Sequence, residues 1–217
     1  MRTTFTSTLR HVIVCTVALL TTNMFCSCDG QDDNGNFPPV QTDLACLEVS
    51  SDGIVNIMEL DDGTRMGLAN KLKSEKAGVT LRCLCMYAVE QDMVRVYSAR
   101  TVFDDAPKQR DSVKVTDTDP VKFISAWRAP KYLNINIGVM TTGAAAHKFE
   151  FALDSIGLKA DGSRRTAYFT LMHKQPANDP ESYTADEFIC LPLNNFADCD
   201  SVAITINTYD GPKTIIR

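Results

Sequence analysis

The sequence has little positive charge, a single tryptophan and no apolar run long enough to cross a membrane after its first 27 residues. Its 217 residues include 22 lysines and arginines against 27 aspartates and glutamates, a formal net charge of −5 at pH 7. This acidic balance argues against a nucleic-acid-binding protein, which needs a basic face to displace counterions. With 44% hydrophobic and 23% charged residues, the composition is globular and excludes a disordered or fibrous chain.

Recognised catalytic and metal-binding motifs are also missing. The sequence has no Gly-x-Ser-x-Gly elbow, no phosphate-binding loop and no dinucleotide-binding glycine fingerprint. It has neither Cys-x-x-Cys nor His-Glu-x-x-His, and only His147 and His173 follow residue 28. The sequence therefore predicts no enzyme activity, no catalytic residue, no metal site and no cofactor.

The first 27 residues are typical of an export signal. Two arginines and no acidic residue precede or flank a short apolar stretch from Val12 to Cys26. This stretch is shorter than the roughly 20 residues of a membrane-spanning helix. The small residue Ser27 then precedes Cys28, as a lipoprotein signal peptidase requires. We predict cleavage before Cys28 and a lipid anchor on it, carrying diacylglycerol and palmitate; the alternative is an ordinary signal peptide with Cys28 a free thiol.

Residues 28–45 are predicted to be a flexible acidic tether, since they show no apolar periodicity at their start. Their early acids resemble the sorting signal that sends lipoproteins of some Gram-negative anaerobes to the cell surface, although a simple solvated linker is the alternative. Removal of residues 1–27 leaves 20 basic against 27 acidic residues. The expected location is the outer membrane, with the chain lipid-anchored and exposed at the cell surface.

Nearly every later segment predicts a β-strand. Apolar and polar residues alternate along 133–139, 148–154 and 202–207, which is the pattern of strands with one buried face. A polar break near 104–111 divides an OB-like barrel of about five strands, residues 46–112, from a β-sandwich of about seven strands, residues 113–217. Asp61-Asp62-Gly63 predicts a hairpin turn, and the one candidate helix lies over residues 67–77.

Five strings resemble the NigD-like lipoproteins. Resemblance to their C-terminal β-sandwich is carried by AWRAPKYLNINI (126–137), HKFEFAL (147–153) and LMHKQPANDPESYTADEF (171–188). Resemblance to their N-terminal OB-like domain is carried by MELDDGTRMGLAN (58–70) and VTLRCLCMYAVEQDMVRVYSAR (79–100). The resemblance implies an all-β chain, a barrel followed by a sandwich. It also suggests bacteriocin immunity, after which the family is named, but it implies no catalytic residues.

A few side chains are candidates for ligand contact. Trp127 with Tyr132 could stack on a glycan, although a sole tryptophan at a domain start is more often a core residue. His173, followed by Asn178 and Asp179, could contact a ligand, although a strand-capping role is the simpler interpretation.

Five cysteines follow Cys28, an odd number. Cys83 and Cys85 lie two residues apart on one strand face, too far apart for a disulfide, and we expect barrel-core thiols. Cys190 and Cys199 flank a predicted turn between neighbouring strands and could form a disulfide.

The sequence therefore predicts a lipid-anchored envelope protein that binds a partner or has a structural role. Its expected partners are the membrane, through the lipid, and an envelope protein, a toxin peptide or a glycan, but not nucleic acid. The alternatives are a bacteriocin-immunity protein and a glycan-binding accessory protein or glycosidase. A glycosidase would need two carboxylates about 5–9.5 Å apart.

Overall fold

The computed structural model describes residues 38–143, 145–177 and 183–217, and Cys28 with the predicted signal and early tether lies outside them. The described chain confirms the all-β fold class, a barrel followed by a sandwich. Its strands are β1 (Val40–Val49), β2 (Val55–Leu60), β3 (Arg65–Leu68), β4 (Thr80–Glu90), β5 (Met93–Thr101), β6 (Lys108–Gln109), β7 (Lys122–Arg128), β8 (Tyr132–Thr141), β9 (Lys148–Leu158), β10 (Arg164–Lys174), β11 (Tyr183–Pro192), β12 (Ser201–Thr208) and β13 (Gly211–Ile216).

The first five strands close into a barrel in the order β1-β2-β3-β5-β4. Strand β1 begins at Val40, so the segment predicted as tether to residue 45 is already strand in its last part. Alternate residues of β1 and β4 point inward and fill the barrel. The barrel core contains Ala45, Leu47, Val49, Val55, Met58, Cys83, Cys85, Tyr87, Val94 and Val96.

The hairpin turn predicted at Asp61-Asp62-Gly63 connects β2 to β3. Gly63 has a φ of +87°, a conformation that side chains other than glycine rarely adopt. The predicted helix over residues 67–77 is wrong, because β3 ends at Leu68 and the chain that follows it is irregular. The side chain of Asn70 exchanges two hydrogen bonds with the backbone of Val96, at 2.9 and 3.0 Å, and so fixes this segment to β5 instead.

The sandwich consists of a five-stranded sheet, ordered β13-β12-β10-β9-β6, and a three-stranded sheet, ordered β11-β8-β7. Because β6 pairs with β9, the sandwich begins before the predicted boundary at residue 113. Leu133, Ile135, Ile137 and Val139 of β8 all point into the core, as their alternation predicted. Other large core residues are Phe151, Phe169, Leu171, Ile189, Leu191, Phe196, Ile204 and Ile206.

Barrel and sandwich pack together, and residues 38–217 form one compact unit. A small buried cluster joins them: Leu44 of β1, Val102 after β5 and Cys190 of β11. Asn134 of β8 is fully buried although it faces away from the sandwich core, because the barrel covers that face of the sheet. Within the described chain, no helix is long and apolar enough to cross a membrane.

Candidate ligand groove

A groove of about 340 Å³ lies where the barrel meets the sandwich, and we call it the Trp127 groove. Its barrel wall comes from β1, the β2–β3 turn and β4, and its sandwich wall from β7. A concave site with an apolar surface and a few convergent polar groups is the usual form of a ligand-binding site. The residues that line the groove are Gln41, Asp43, Leu44, Leu60, Asp61, Asp62, Tyr87 and Trp127.

Trp127 reaches the groove because side chains alternate along β7. Its neighbour Ala126 belongs to the sandwich core, so the indole of Trp127 lies on the opposite face of the three-stranded sheet. The indole packs edge-on against Phe188, with ring centroids 6.3 Å apart, and stays 38% exposed. The expectation that the sole tryptophan is a sandwich core residue is therefore wrong.

Tyr87 forms the buried part of the barrel wall. Its hydroxyl lies 2.9 Å from both Gln41 Oε1 and Asp43 Oδ2, and the ladder places Gln41 directly opposite Tyr87. Burial, followed by the hydrogen bond to Asp43, raises the pKa of Tyr87 to about 12. The phenol is therefore protonated at neutral pH, and its single proton is already engaged within the wall.

The β2–β3 turn contributes two carboxylates with different partners. Asp61 binds the Arg82 Nη2 at 2.7 Å and accepts a hydrogen bond from Asn134 Nδ2 at 2.7 Å. Asp62 instead accepts the backbone N–H of Thr64 at 2.8 Å, and that bond holds the pKa of Asp62 below its usual value. Asp62 is consequently ionised and exposed at the mouth of the groove.

Arg82 fixes the two walls relative to each other. It is 2% exposed, donates to Asn134 Oδ1 at 3.0 Å across the junction, and stacks over the Tyr132 ring at 4.3 Å. Its Nη1 also contacts Cys46 Sγ at 3.8 Å. A buried guanidinium with these partners holds β4, the β2–β3 turn and β8 together beside the groove.

A larger cavity, of about 490 Å³, lies at the other end of the three-stranded sheet. Its lining is mostly apolar, and Glu187 is the carboxylate among the described residues that form it. Glu187 is already paired with Arg100 at 2.8 Å. The cavity therefore has fewer charged lining residues than the Trp127 groove.

Comparison with known proteins assigns the family. The family model for the NigD-like C-terminal beta sandwich domain matches residues 101–216. The chain belongs to the NigD-like family. No curated protein matches it in sequence.

Solved structures share the fold of this NigD-like chain at low sequence identity. A NigD-like immunity protein from Bacteroides caccae is 20% identical with a TM-score of 0.63, over 83% of this chain and 93% of that one. A protein from Parabacteroides distasonis, provisionally named toxin-related, is 15% identical with a TM-score of 0.63, over 82% and 92%. A protein from Bacteroides fragilis, provisionally named a lipoprotein, is 12% identical with a TM-score of 0.57, over 82% and 96%. These likenesses show the fold alone.

The fold of this chain does not bring the three candidate contact residues, Trp127, Tyr132 and His173, together. Trp127 lines the groove, whereas Tyr132 is half-buried beneath the guanidinium of Arg82. His173 is 2% exposed and ends β10. The residues expected to accompany it, Asn178 and Asp179, lie outside the described part of the chain.

His173 forms a buried pair with His147. Its Nδ1 lies 2.9 Å from the carbonyl oxygen of Asp119, which can only accept, so Nδ1 carries the proton. Its Nε2 then accepts a hydrogen bond from His147 Nδ1 at 2.8 Å. Burial lowers the pKa of His173, which favours this neutral form. The pair is a buried structural contact, with Phe149 stacked 4.9 Å from the His173 ring.

The possible disulfide between Cys190 and Cys199 is not formed, since both thiols are free and buried. The segment between them is not a turn between neighbouring strands, because it leads from β11 in one sheet to β12 in the other. Cys190 faces the barrel junction, whereas Cys199 belongs to the sandwich core. The three-stranded sheet therefore lies between the two side chains.

Cys83 and Cys85 are free thiols in the barrel core, as predicted. Among the described residues, no group of three or more His, Cys, Asp or Glu could hold a metal ion.

Sequence reasoning missed most of the groove. Asp61 and Asp62 were predicted as turn residues only, and Gln41 and Asp43 fell in the predicted tether. The signal that could have found the junction was Arg82, a charged residue within an otherwise apolar strand.

Proposed function

We propose that this protein is a lipid-anchored envelope protein that binds a partner through the Trp127 groove and does not catalyse a reaction. The observation that carries the proposal is the exposed indole of Trp127 in a groove whose walls are joined by the buried Arg82. A large exposed aromatic on a rigid support is typical of a binding site, since it gives contact area at low entropic cost.

The lining of the groove supports binding over catalysis. Its described residues include no histidine, cysteine, serine or lysine that could act as nucleophile or general base near neutral pH. The pKa of Tyr87, raised to about 12, keeps that phenol protonated. Asp61 is held in an ion pair with Arg82. The acidic lining also supports the expectation that nucleic acid is not the partner.

The anchor is tested by the Cys28→Ala variant. We expect this variant to leave the membrane fraction and to lose labelling by a palmitate analogue, because Cys28 carries the lipid. Cys26→Ala is the matched control, since it removes the neighbouring cysteine but leaves the Ser27-Cys28 junction intact. The measurement is fractionation of cells expressing each variant, followed by immunoblotting. A Cys28→Ala protein that remains in the outer membrane would contradict the anchor.

The groove is tested by cross-linking on intact cells. We expect Trp127→Ala to lose the partner that the wild-type protein recovers, because truncation removes the main apolar contact of the groove. Tyr168→Ala is the control, as Tyr168 is 43% exposed but lies outside the groove. Equal recovery by wild type and Trp127→Ala would overturn the assignment of the groove.

Protease added to the same cells should digest the protein if it is displayed on the surface.

Two other functions each have a specific observation in favour. The B. caccae neighbour is named an immunity protein, so the partner could be a bacteriocin-like peptide. The exposed Trp127 favours a glycan, which commonly stacks on aromatic rings. Both functions use the same groove, and the chemistry of the ligand distinguishes them.

A further inference from the structure

We infer that the Trp127 groove binds a cationic side chain, a lysine or arginine presented by a separate peptide. This inference rests on the proposed binding function and adds the chemical class of the ligand. It depends on the charge of the groove and on its hydrogen-bonding groups, both of which come from the same carboxylates, and on the exposed indole, which is independent of them.

Two of the three negative charges of the lining have no ion-pair partner among the described residues. Three of its residues are aspartates and none is basic. Asp61 is neutralised by Arg82, but no described lysine or arginine forms an ion pair with Asp43 or Asp62. A cation entering the groove would therefore meet two carboxylates at no cost in broken ion pairs.

The charged hydrogen-bonding groups of the lining are acceptors, whereas the amide Nε2 of Gln41 and the indole Nε1 of Trp127 are donors. The carboxylates of Asp43 and Asp62 only accept, and the one proton of Tyr87 is used within the wall. Lysine and arginine offer only donors and carry positive charge, so they match these two carboxylates. A glycan is neutral and would leave both negative charges uncompensated, so the carboxylates favour a cation.

The indole of Trp127 supplies the third feature. A cation within about 6 Å of a tryptophan ring centroid is attracted to the face of the ring. Trp127 is 38% exposed and is the residue of the sandwich wall, opposite the carboxylates of the barrel. An aliphatic stem followed by a charged head would contact the ring and the carboxylates together.

The chain's own preceding segment does not match the groove. Residues 28–37 contain three acidic residues and no basic one, so their charge has the same sign as the lining. A separate peptide with lysine or arginine residues has the complementary charge. A second copy of the chain remains an outcome that the experiment distinguishes.

The experiment uses the fluorescence of Trp127, which is the only tryptophan of the chain and lies in the groove itself. We expect acetyl-tetralysine amide to change the emission saturably, and the change to require roughly tenfold more peptide at 0.5 M than at 0.05 M salt. The same peptide with every lysine acetylated is the control for length and stem. It should leave the emission unchanged.

Two variants localise the effect. Asp43→Asn and Asp62→Asn each keep an acceptor oxygen for Tyr87 and Thr64, so the walls should persist. We expect each to weaken tetralysine binding roughly fivefold, as for the loss of one charge about 4 Å from a cation in water. The controls are the single variants Asp111→Asn and Asp210→Asn, each of which changes the net charge by the same one unit at an exposed position outside the groove.

Three results would overturn the inference. Cellotetraose could change the emission where tetralysine does not, which would make the groove a glycan site. The Asp111 and Asp210 controls could weaken binding as much as the groove variants, which would make the attraction non-specific. Emission could change with protein concentration alone, which would make the partner a second copy. If tetralysine fails to bind but Trp127→Ala still loses the cross-linked partner, the groove remains a binding site and only the cationic ligand class is wrong. The two experiments therefore distinguish failure of the ligand class from failure of the proposed function.

Discussion

Replacing Asp61 with alanine is expected to lower the free energy of unfolding by about 3 kcal/mol, the lower end of the range for breaking a buried ion pair. The variant leaves the guanidinium of Arg82, which is 2% exposed, without the carboxylate that it contacts at 2.7 Å. It also removes the acceptor for Asn134 Nδ2. Because the Asp61 side chain is 25% exposed, water can partly replace it, which moderates the cost.

The measurement is urea unfolding of the soluble protein lacking residues 1–37, with Arg100→Met as the matched control. Arg100 also joins barrel and sandwich, through Glu187, but the two side chains are 48% and 35% exposed. Loss of such an exposed pair should cost less than about 1 kcal/mol. Adding Arg82→Met to Asp61→Ala should restore part of the lost stability, since it removes the uncompensated charge. A cost for Asp61→Ala equal to that of Arg100→Met would mean that the buried pair is not what joins the walls.

The strands of the sandwich could be predicted because one face of each is buried against the other sheet. Leu133, Ile135 and Ile137 alternate with polar residues, and this is the period that a half-buried strand requires. An alternating pattern does not show whether the polar face of a strand is also covered by another part of the chain. The pattern predicts that Asn134 is exposed to solvent, yet Asn134 is 0% exposed because the barrel packs on that face. That contact depends on pairing between residues 52 positions apart, Arg82 and Asn134, which no local pattern encodes.

The position of Trp127 could not be predicted for a related reason. A bulge between Phe123 and Ser125 shifts the register of β7, so the strand does not alternate evenly from its start. Ala126 takes the core position and Trp127 the outer one. A large aromatic residue adjacent to a small one gives no sign of which of them faces the core, and the sequence alone favoured the larger.

The helix predicted over residues 67–77 failed because its only evidence was the four-residue spacing of Leu68, Leu72 and Lys76. Gly67 and Leu68 are instead the end of β3 and pair with β5. The amide side chain of Asn70 then bonds to the backbone of Val96, so a long-range contact determines the local structure. The apolar pattern of a short segment can fit either a strand or a helix, and tertiary contacts then determine which of the two forms.

Replacing Phe169 with alanine is expected to cost about 3–5 kcal/mol, the usual range for a buried phenylalanine. Phe169 lies in β10, is 1% exposed and packs edge-on against Phe196, with ring centroids 5.0 Å apart. Phe196 belongs to the connection between β11 and β12, which leads from one sheet of the sandwich to the other. Truncation at residue 169 therefore opens a cavity and also frees the segment that ties the two sheets together.

The neighbouring residue supplies the control, since the same deletion at Tyr168 falls on the opposite face of β10. Tyr168 is 43% exposed, and Tyr168→Ala should change stability by no more than about 0.5 kcal/mol. Unfolding should be followed by Trp127 emission and by far-ultraviolet circular dichroism, which report on the junction and on all strands. Because residues 38–217 form one compact unit, we expect both signals of Phe169→Ala to shift together. If the emission kept the wild-type midpoint while the circular dichroism shifted, the junction would be stable without the sandwich core, and the groove would depend on the barrel wall and Arg82 alone.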